Sequence, residues 1–503
     1  MQIMARTAVR AVQQVLPGRS SDFGFIRRGA FPALVQPVAY AARPPYSVGH
    51  VTELHRIPDS PAERLAPSRR LFSVYATAAQ PPCIEWRHDV GYPTAMTASS
   101  KTRQLPLVEF IPLMALITAL DALSIDTVLP ALPAMAADLA VTGANDMQLV
   151  VTMMFLGFAL GQIAGGPMAD GLGRKPAIYW GLALYILGSL IGMLATSFPV
   201  MLLARILQGA GASIPFVTMN ALVRDLYEGA PMARIMSFIG TVFILVPMLG
   251  PLAGQGILLI ATWRYIFLLY LGLAVPAALW FALRQPETLP PENRSPMSLA
   301  RIGRTTLEVL RIPSARGYIL CGGLLTGAFL GYLNSAQQIF QDTYGVGVHF
   351  VLYFSTLAFS IGVALLLNGT LVERIGMRAL SYGALAVLTG LAVLFLPVVI
   401  ASSGVPPLWA TMAYLLASFL FVGVLFGNLN ALAMEPLGHI AGIGAAVVGF
   451  TSTLIGVAAG ALVGRAYDGG ITPLVTGFAV LNGLALLAMY WGERPRAALA
   501  GKN

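Results

Sequence analysis

Three ionisable side chains lie inside long apolar runs of this chain: Asp121 and Asp126 in one run, Arg205 in another. A charge in hydrocarbon is costly, so such residues point first to ion or proton pathways. Asp126 stands in Ile125-Asp126-Thr127-Val128-Leu129-Pro130-Ala131-Leu132-Pro133. A carboxylate shielded from water can take up and release a proton near neutral pH, and the prolines after it suit a helix end that bends. The plainer alternative places Asp126 just outside the hydrocarbon. Asp121 comes five residues earlier, about 140° around a helix. The two acids therefore do not share a face: one suits a cavity, the other a neighbouring helix. Arg205, in Leu203-Ala204-Arg205-Ile206-Leu207-Gln208-Gly209, keeps its charge when desolvated and needs a partner. Asp121 or Asp126 would serve, and so would backbone carbonyls.

Uncharged polar groups form a second set. Asn334, Ser335, Gln337, Gln338 and Gln341 crowd one apolar run, and Asn428 and Asn430 interrupt another. Buried amides need partners, which either a water-lined substrate cavity or helix-to-helix hydrogen bonds can supply. Phe329, Tyr332, Phe354 and Phe421 are aromatic candidates for a greasy pocket, none of them assigned singly. No phosphate-binding Gly-x-x-x-x-Gly-Lys loop, hydrolase triad or metal-ligand spacing occurs, so the chain reads as neither an enzyme nor an ATP-driven pump.

The elements that must carry these residues are membrane helices. The chain is 57% hydrophobic and 11% charged, with mean hydropathy +0.74, against about 25% charged in a soluble domain. A span needs roughly 20 apolar residues. Twelve such runs are predicted, at 105–129, 147–169, 176–196, 199–222, 233–259, 264–284, 316–341, 349–372, 378–400, 407–432, 439–465 and 471–492. After the second run comes Gly165-Gly166-Pro167-Met168-Ala169-Asp170-Gly171-Leu172-Gly173-Arg174-Lys175. A worn copy, Gly369-Thr370-Leu371-Val372-Glu373-Arg374-Ile375-Gly376-Met377-Arg378, follows the eighth. A glycine-punctuated basic turn at matching places means two six-span halves.

The net charge of +9 does not point to nucleic acid. Arg174, Lys175, Arg224, Arg234, Arg284 to Arg316, Arg374, Arg378 and Arg494 fall on one side of the twelve-span arrangement, whereas Arg264 and Arg465 stand nearly alone on the other. That bias places both chain ends and the central loop in the cytoplasm. Of the two cysteines, Cys83 and Cys321, the latter lies within a span, and no disulfide framework exists.

Five segments follow. Residues 1–100 are Arg- and Pro-rich with no span-length run, and are expected to be disordered. An organellar transit peptide is one reading of them; the other is that translation starts at Met96. Residues 101–284 form the first six-helix bundle, 285–315 a cytoplasmic linker, 316–492 the second bundle and 493–503 a tail. Within the linker, Leu299, Ile302 and Leu307 recur at helical spacing beside Arg301 and Arg304. That pattern fits a short amphipathic surface helix or a plain solvated connection.

Several of these motifs resemble one family. Gly166-x-x-x-Asp170-x-x-Gly173-Arg174-Lys175 is similar to the signature loop of the major facilitator superfamily, and Arg205-x-x-Gln208-Gly209-x-Gly211-Ala212 to its fourth-helix motif. Gly250-Pro251-x-x-Gly254, within a stretch kinked by Pro247 and Pro251, resembles the antiporter motif of its drug:proton branch, departing from it at Val246 and Gln255. Asp126 with Pro130 and Pro133, and Met434-Glu435-Pro436-Leu437-Gly438-His439, resemble the Bcr/CflA subfamily. The resemblance covers about 101–492. It implies an all-α fold of twelve transmembrane helices in two six-helix bundles, and a monomer in the bacterial inner membrane. It also implies export of small, mostly apolar drugs or metabolites in exchange for protons, with no cofactor beyond the proton gradient. On this reading Asp126, coupled to Arg205 with Asp121 nearby, responds to proton and substrate. Gly166, Asp170, Gly173, Arg174 and Lys175 bias the conformational cycle, and Gly250, Pro251 and Gly254 form the antiporter kink. Asn334, Gln337, Gln338, Gln341 and Asn428 are the cavity candidates. Import of a small metabolite uses the same fold, and a non-transporting sensor is the remote alternative.

Overall fold

The computed structural model describes residues 105–143, 145–295 and 298–500. The expectations for 1–100, Met96 and Cys83 included, lie outside those residues. Among the described residues twelve helices are long and apolar enough to span a membrane: α1 (Leu107–Asp126), α2 (Leu149–Gly171), α3 (Arg174–Leu194), α4 (Phe198–Leu226), α5 (Gly229–Leu258), α6 (Arg264–Arg284), α7 (Pro313–Gln337), α8 (Phe350–Ile375), α9 (Met377–Ala401), α10 (Leu408–Met434), α11 (Ala441–Arg465) and α12 (Thr472–Ala500). Among the described residues there is no strand. In hydrocarbon each backbone N–H and C=O must be satisfied locally, which only helices or closed barrels achieve.

The packing repeats with the sequence. In the first bundle α4 packs against α2 and α3, α1 against α5, and α3 against α6; in the second α10 packs against α8 and α9, α7 against α11, and α9 against α12. The bundles meet where α2 touches α11 and where α5 touches α8. Each pair exchanges into the other when the halves are swapped, as a two-fold axis along the membrane normal requires. The repeated turn obeys the same symmetry: Gly173 (φ 109°) and Gly376 (φ 84°) precede α3 and α9 in the left-handed region that glycine adopts without strain.

Two helix ends depart from simple spans. Helix α1 stops at Asp126 and continues through a short 3-10 turn, Leu129–Ala131, into a further helix, Leu132–Asp138. Pro130 has no N–H to give the Asp126 carbonyl, and Pro133 none for Leu129. At the far end of α7 the helix widens into a π turn over Gln338–Thr343. The linker carries the amphipathic helix Leu299–Arg311, capped by the Ser298 hydroxyl, which accepts from the Arg301 N–H. It packs on α11 and α7, burying Val309 and Thr305.

Candidate functional site

Asp121, Asp126 and Arg205 are 5%, 5% and 0% exposed, so all three are inside the protein. Their neighbours differ. Arg205 forms an ion pair with neither acid. Its Nε donates to the Val150 carbonyl (3.0 Å), Nη1 to Gln208 Oε1 (2.6 Å) and Nη2 to the Ser124 carbonyl (2.9 Å). The guanidinium is satisfied by α2, α4 and α1 together, so it ties three helices at one depth. Gln208 continues the network to the Ser189 hydroxyl (3.0 Å), and Ser124 hydrogen-bonds the Tyr185 hydroxyl (2.5 Å). Carbonyl oxygens thus stand where a carboxylate partner for Arg205 was expected. Asp121 lies within the electrostatic reach of this group, with one carboxylate oxygen fully buried and unbonded among the described residues.

Asp126 faces the other way, onto helix α5. A Cβ placed on Gly250 would lie 3.0 Å from the Asp126 Cβ, and one on Gly254 would lie 2.0 Å from the Thr127 carbonyl oxygen. The glycines therefore let α5 lie directly on the turn that carries the acid. Pro247 and Pro251 sit inside α5, where each removes a backbone hydrogen bond from the helix. No hydrogen bond or ion pair of the Asp126 carboxylate occurs among the described residues. Across the bundle interface its charge acts on Tyr332 of α7, whose hydroxyl is buried and has no hydrogen-bond partner among the described residues. Tyr332 stacks on Phe354 (5.9 Å) and meets Phe419 edge-on (4.8 Å), while Phe329 adjoins Phe419 and Phe426. Phe421 is partly buried against the core.

The signature loop is tied down by charge. Arg174 donates to Asp170 (2.6 Å) and to Asp225 at the end of α4 (2.9 Å). The Asp170 carboxylate lies 3.9 Å from where a Gly442 Cβ would sit, at the first turn of α11, where a helix dipole favours an anion. A Cβ on Gly166 would stand 3.5 Å from the Ala446 Cβ on the same helix. Lys175 Nζ reaches the Ala282 carbonyl (2.9 Å). Glu287, in the linker, accepts the Arg174 and Lys175 backbone N–H groups (3.0 and 3.1 Å) and caps α3. In the second copy Arg378 pairs with Glu435 and Glu493, while Glu373 makes no ion pair among the described residues.

The amides gather at the opposite end, where the bundles are joined by side chains. Gln148 Nε2 donates to Gln338 Oε1 (2.5 Å), and Gln338 Nε2 to Asn145 Oδ1 (2.9 Å). Asn145 Nδ2 donates to the Arg465 and Tyr467 carbonyls (both 3.0 Å), and Thr152 donates to Asn334 Oδ1 (3.3 Å). Gln337 and Gln341 bond each other (3.0 Å). Asn428 lies apart from this group, inside the second bundle and towards the repeated turn, where it exchanges two bonds with Asn368 of α8 (2.9 and 3.0 Å). Asn145, Gln148 and Asn368 were not singled out from sequence; for the first two, a polar residue at the opening of an apolar run was the available signal. Among the described residues no cluster of His, Cys, Asp or Glu suits a metal ion.

The profile of the Major Facilitator Superfamily matches residues 114–461. The chain belongs to the major facilitator superfamily. It is therefore a multi-pass membrane transporter. It is 32% identical to the uncharacterized MFS-type transporter YdgK of Bacillus subtilis, over 70% of this chain and 87% of that one. To the bicyclomycin resistance protein homolog of Haemophilus influenzae it is 27% identical, over 76% of this chain and 95% of that one. Its fold is similar to the partially occluded inward open xylose transporter XylE from E. coli, with TM-score 0.59 and 14% identity, covering 76% of this chain and 97% of that one.

Proposed function

We propose that this transporter exports small, mostly apolar drugs or metabolites across the bacterial inner membrane in exchange for protons, as a monomer with both ends in the cytoplasm. The observation that carries the proposal is Asp126: a carboxylate inside the protein, without a salt bridge, pressed against the glycine face of a proline-bearing helix. An acid in that position is free to exchange a proton, and its charge is felt by both bundles. Protonation removes a desolvated charge and so favours one facing of the cavity over the other. Substrate and proton then compete for one state, which is what antiport requires.

Arg205 holds α1, α2 and α4 in register, so that movement of Asp126 is transmitted to the bundle. Asp121, whose charge reaches both, modulates both. Gly166, Asp170, Gly173, Arg174 and Lys175 govern the basic end of the interface, and the amides at the far end act as the opposing gate. The bicyclomycin-resistance relative supports export of drug-like molecules. The Asp126→Asn protein, reconstituted in proteoliposomes with an imposed pH gradient, should bind substrate yet lose proton-driven accumulation. Accumulation at the wild-type rate would remove Asp126 from the coupling path, and loss in Asp121→Asn instead would move the role there.

A further inference from the structure

The linker helix Leu299–Arg311 packs on α11 and leaves a pocket of about 220 Å³ beside the start of that helix. Arg301 and Thr305 line it from the linker helix, His439 and Gly442 from the turn into α11, and Asp170 from the signature loop. Residues four apart, as Arg301 and Thr305 are, share one helix face. Thr305 is 7% exposed, yet its hydroxyl has no hydrogen-bond partner among the described residues. A buried hydroxyl without a partner is costly, and this one borders the pocket. Arg301 uses its backbone N–H, which donates to Ser298; its guanidinium makes no ion pair or hydrogen bond among the described residues. The first turn of α11 has no side-chain cap, and the leading N–H groups of a helix have no acceptor within it. The nearby carboxylates are committed elsewhere: Asp170 accepts from Arg174 (2.6 Å), and Glu308 meets His439 (2.9 Å).

We infer that this pocket binds a phosphate-type oxyanion through the Arg301 guanidinium, the Thr305 hydroxyl and the first-turn N–H groups of α11. A guanidinium fork presents paired donors to phosphate oxygens. A helix N-terminus adds N–H groups and a dipole that favours negative charge. The buried hydroxyl supplies a directed bond that a diffuse basic surface does not. Inorganic phosphate and the phosphodiester of a lipid headgroup share this chemistry. The site lies at the signature-loop end of the molecule, and the inference does not depend on what is exported or in which direction. An oxyanion seated here stands beside the Asp170 carboxylate and repels it, so occupancy loosens the hold of the signature loop on α11.

The test is equilibrium dialysis of radiolabelled inorganic phosphate against the full chain, delipidated in detergent at fixed ionic strength. Arg301→Gln and Thr305→Val should each weaken binding about tenfold, and Thr305→Ser, which keeps the hydroxyl, should bind as wild type. Arg304→Gln removes a charge from the same helix but outside the lining, and should leave binding unchanged. Asp170→Asn removes the repulsion and should tighten binding about threefold, a gain that misfolding cannot produce. Nanodiscs of phosphatidylcholine, with and without phosphatidylglycerol, then separate the two sources. Phosphate bound equally in both makes free phosphate the ligand; phosphate excluded by phosphatidylglycerol makes it the lipid headgroup. Absence of phosphate binding in detergent overturns the site. So does binding that survives both Arg301→Gln and Thr305→Val, an equal loss in Arg304→Gln, or no gain in Asp170→Asn.

Discussion

The Gln338→Leu substitution should open the far end of the transporter. Gln338 stands at the hub of the amide cluster, accepting from Gln148 and donating to Asn145, which in turn holds the carbonyls of Arg465 and Tyr467. Leucine removes both bonds, taking the partner of the buried Gln148 amide and that of the half-buried Asn145 carbonyl oxygen. At about 0.5–1.5 kcal/mol net per hydrogen bond, the closed arrangement loses about 1–3 kcal/mol relative to the open one. That is roughly a 5- to 150-fold change in their ratio. Spin labels on cysteines at Thr142 and Val348, exposed far-end positions in the first and second bundles, would report it. The distance distribution should gain a longer component in a Cys83→Ser/Cys321→Ser background. Adding Gln148→Leu should return part of the short component, because an apolar pair carries no unsatisfied amide. An unchanged distribution in Gln338→Leu would show that the amides do not set the equilibrium.

Three further outcomes follow from contacts of the same kind. Gly254→Ala places a Cβ 2.0 Å from the Thr127 carbonyl oxygen, so α5 must lift from α1; transport should fall well below half while membrane insertion, read by fluorescence size-exclusion, persists. Glu287→Gln removes the charged cap of α3 and should lower stability by about 1 kcal/mol, seen as a lower melting temperature in detergent; an unchanged melting temperature would make the cap dispensable. Arg174→Ala cuts the links to Asp170 and Asp225 and should slow transport more than tenfold with near-normal substrate affinity, whereas equal losses in both would give the loop a binding role.

The spans were legible because each is bounded by features that a bilayer imposes. Helix α6 runs from Arg264 to Arg284 in both sequence and structure, since the two charges mark its exits from the apolar run. Where the reading ran past a helix end, as at 127–129, proline backbone chemistry decided the matter. The site was legible in its residue types but not in its pairings. Gln148 and Gln338 meet across 190 positions, and nothing in either run says which faces touch. The acids near Arg205 suggested a salt bridge, yet three helices offer it carbonyl oxygens and Gln208 first. Glu287 was concealed because its partners lie 112 and 113 positions back, and its own neighbours signal only a chain reversal.

The linker is short where it matters. On one side, the Ser295 N–H is held by the Asp170 carbonyl (2.9 Å) and Glu287 clasps the start of α3. On the other, Glu308 meets His439 (2.9 Å) and Val309 is buried against the second bundle. From Ser295 to the linker helix at Leu299 there are only four residue steps, about 14 Å when fully drawn out. The connection is therefore a leash with a defined reach rather than a slack tether. Any rocking stroke that asks for more travel at this edge must first unclasp one of its anchors, so the reach of this connection sets a ceiling on how far the two bundles can part beside it.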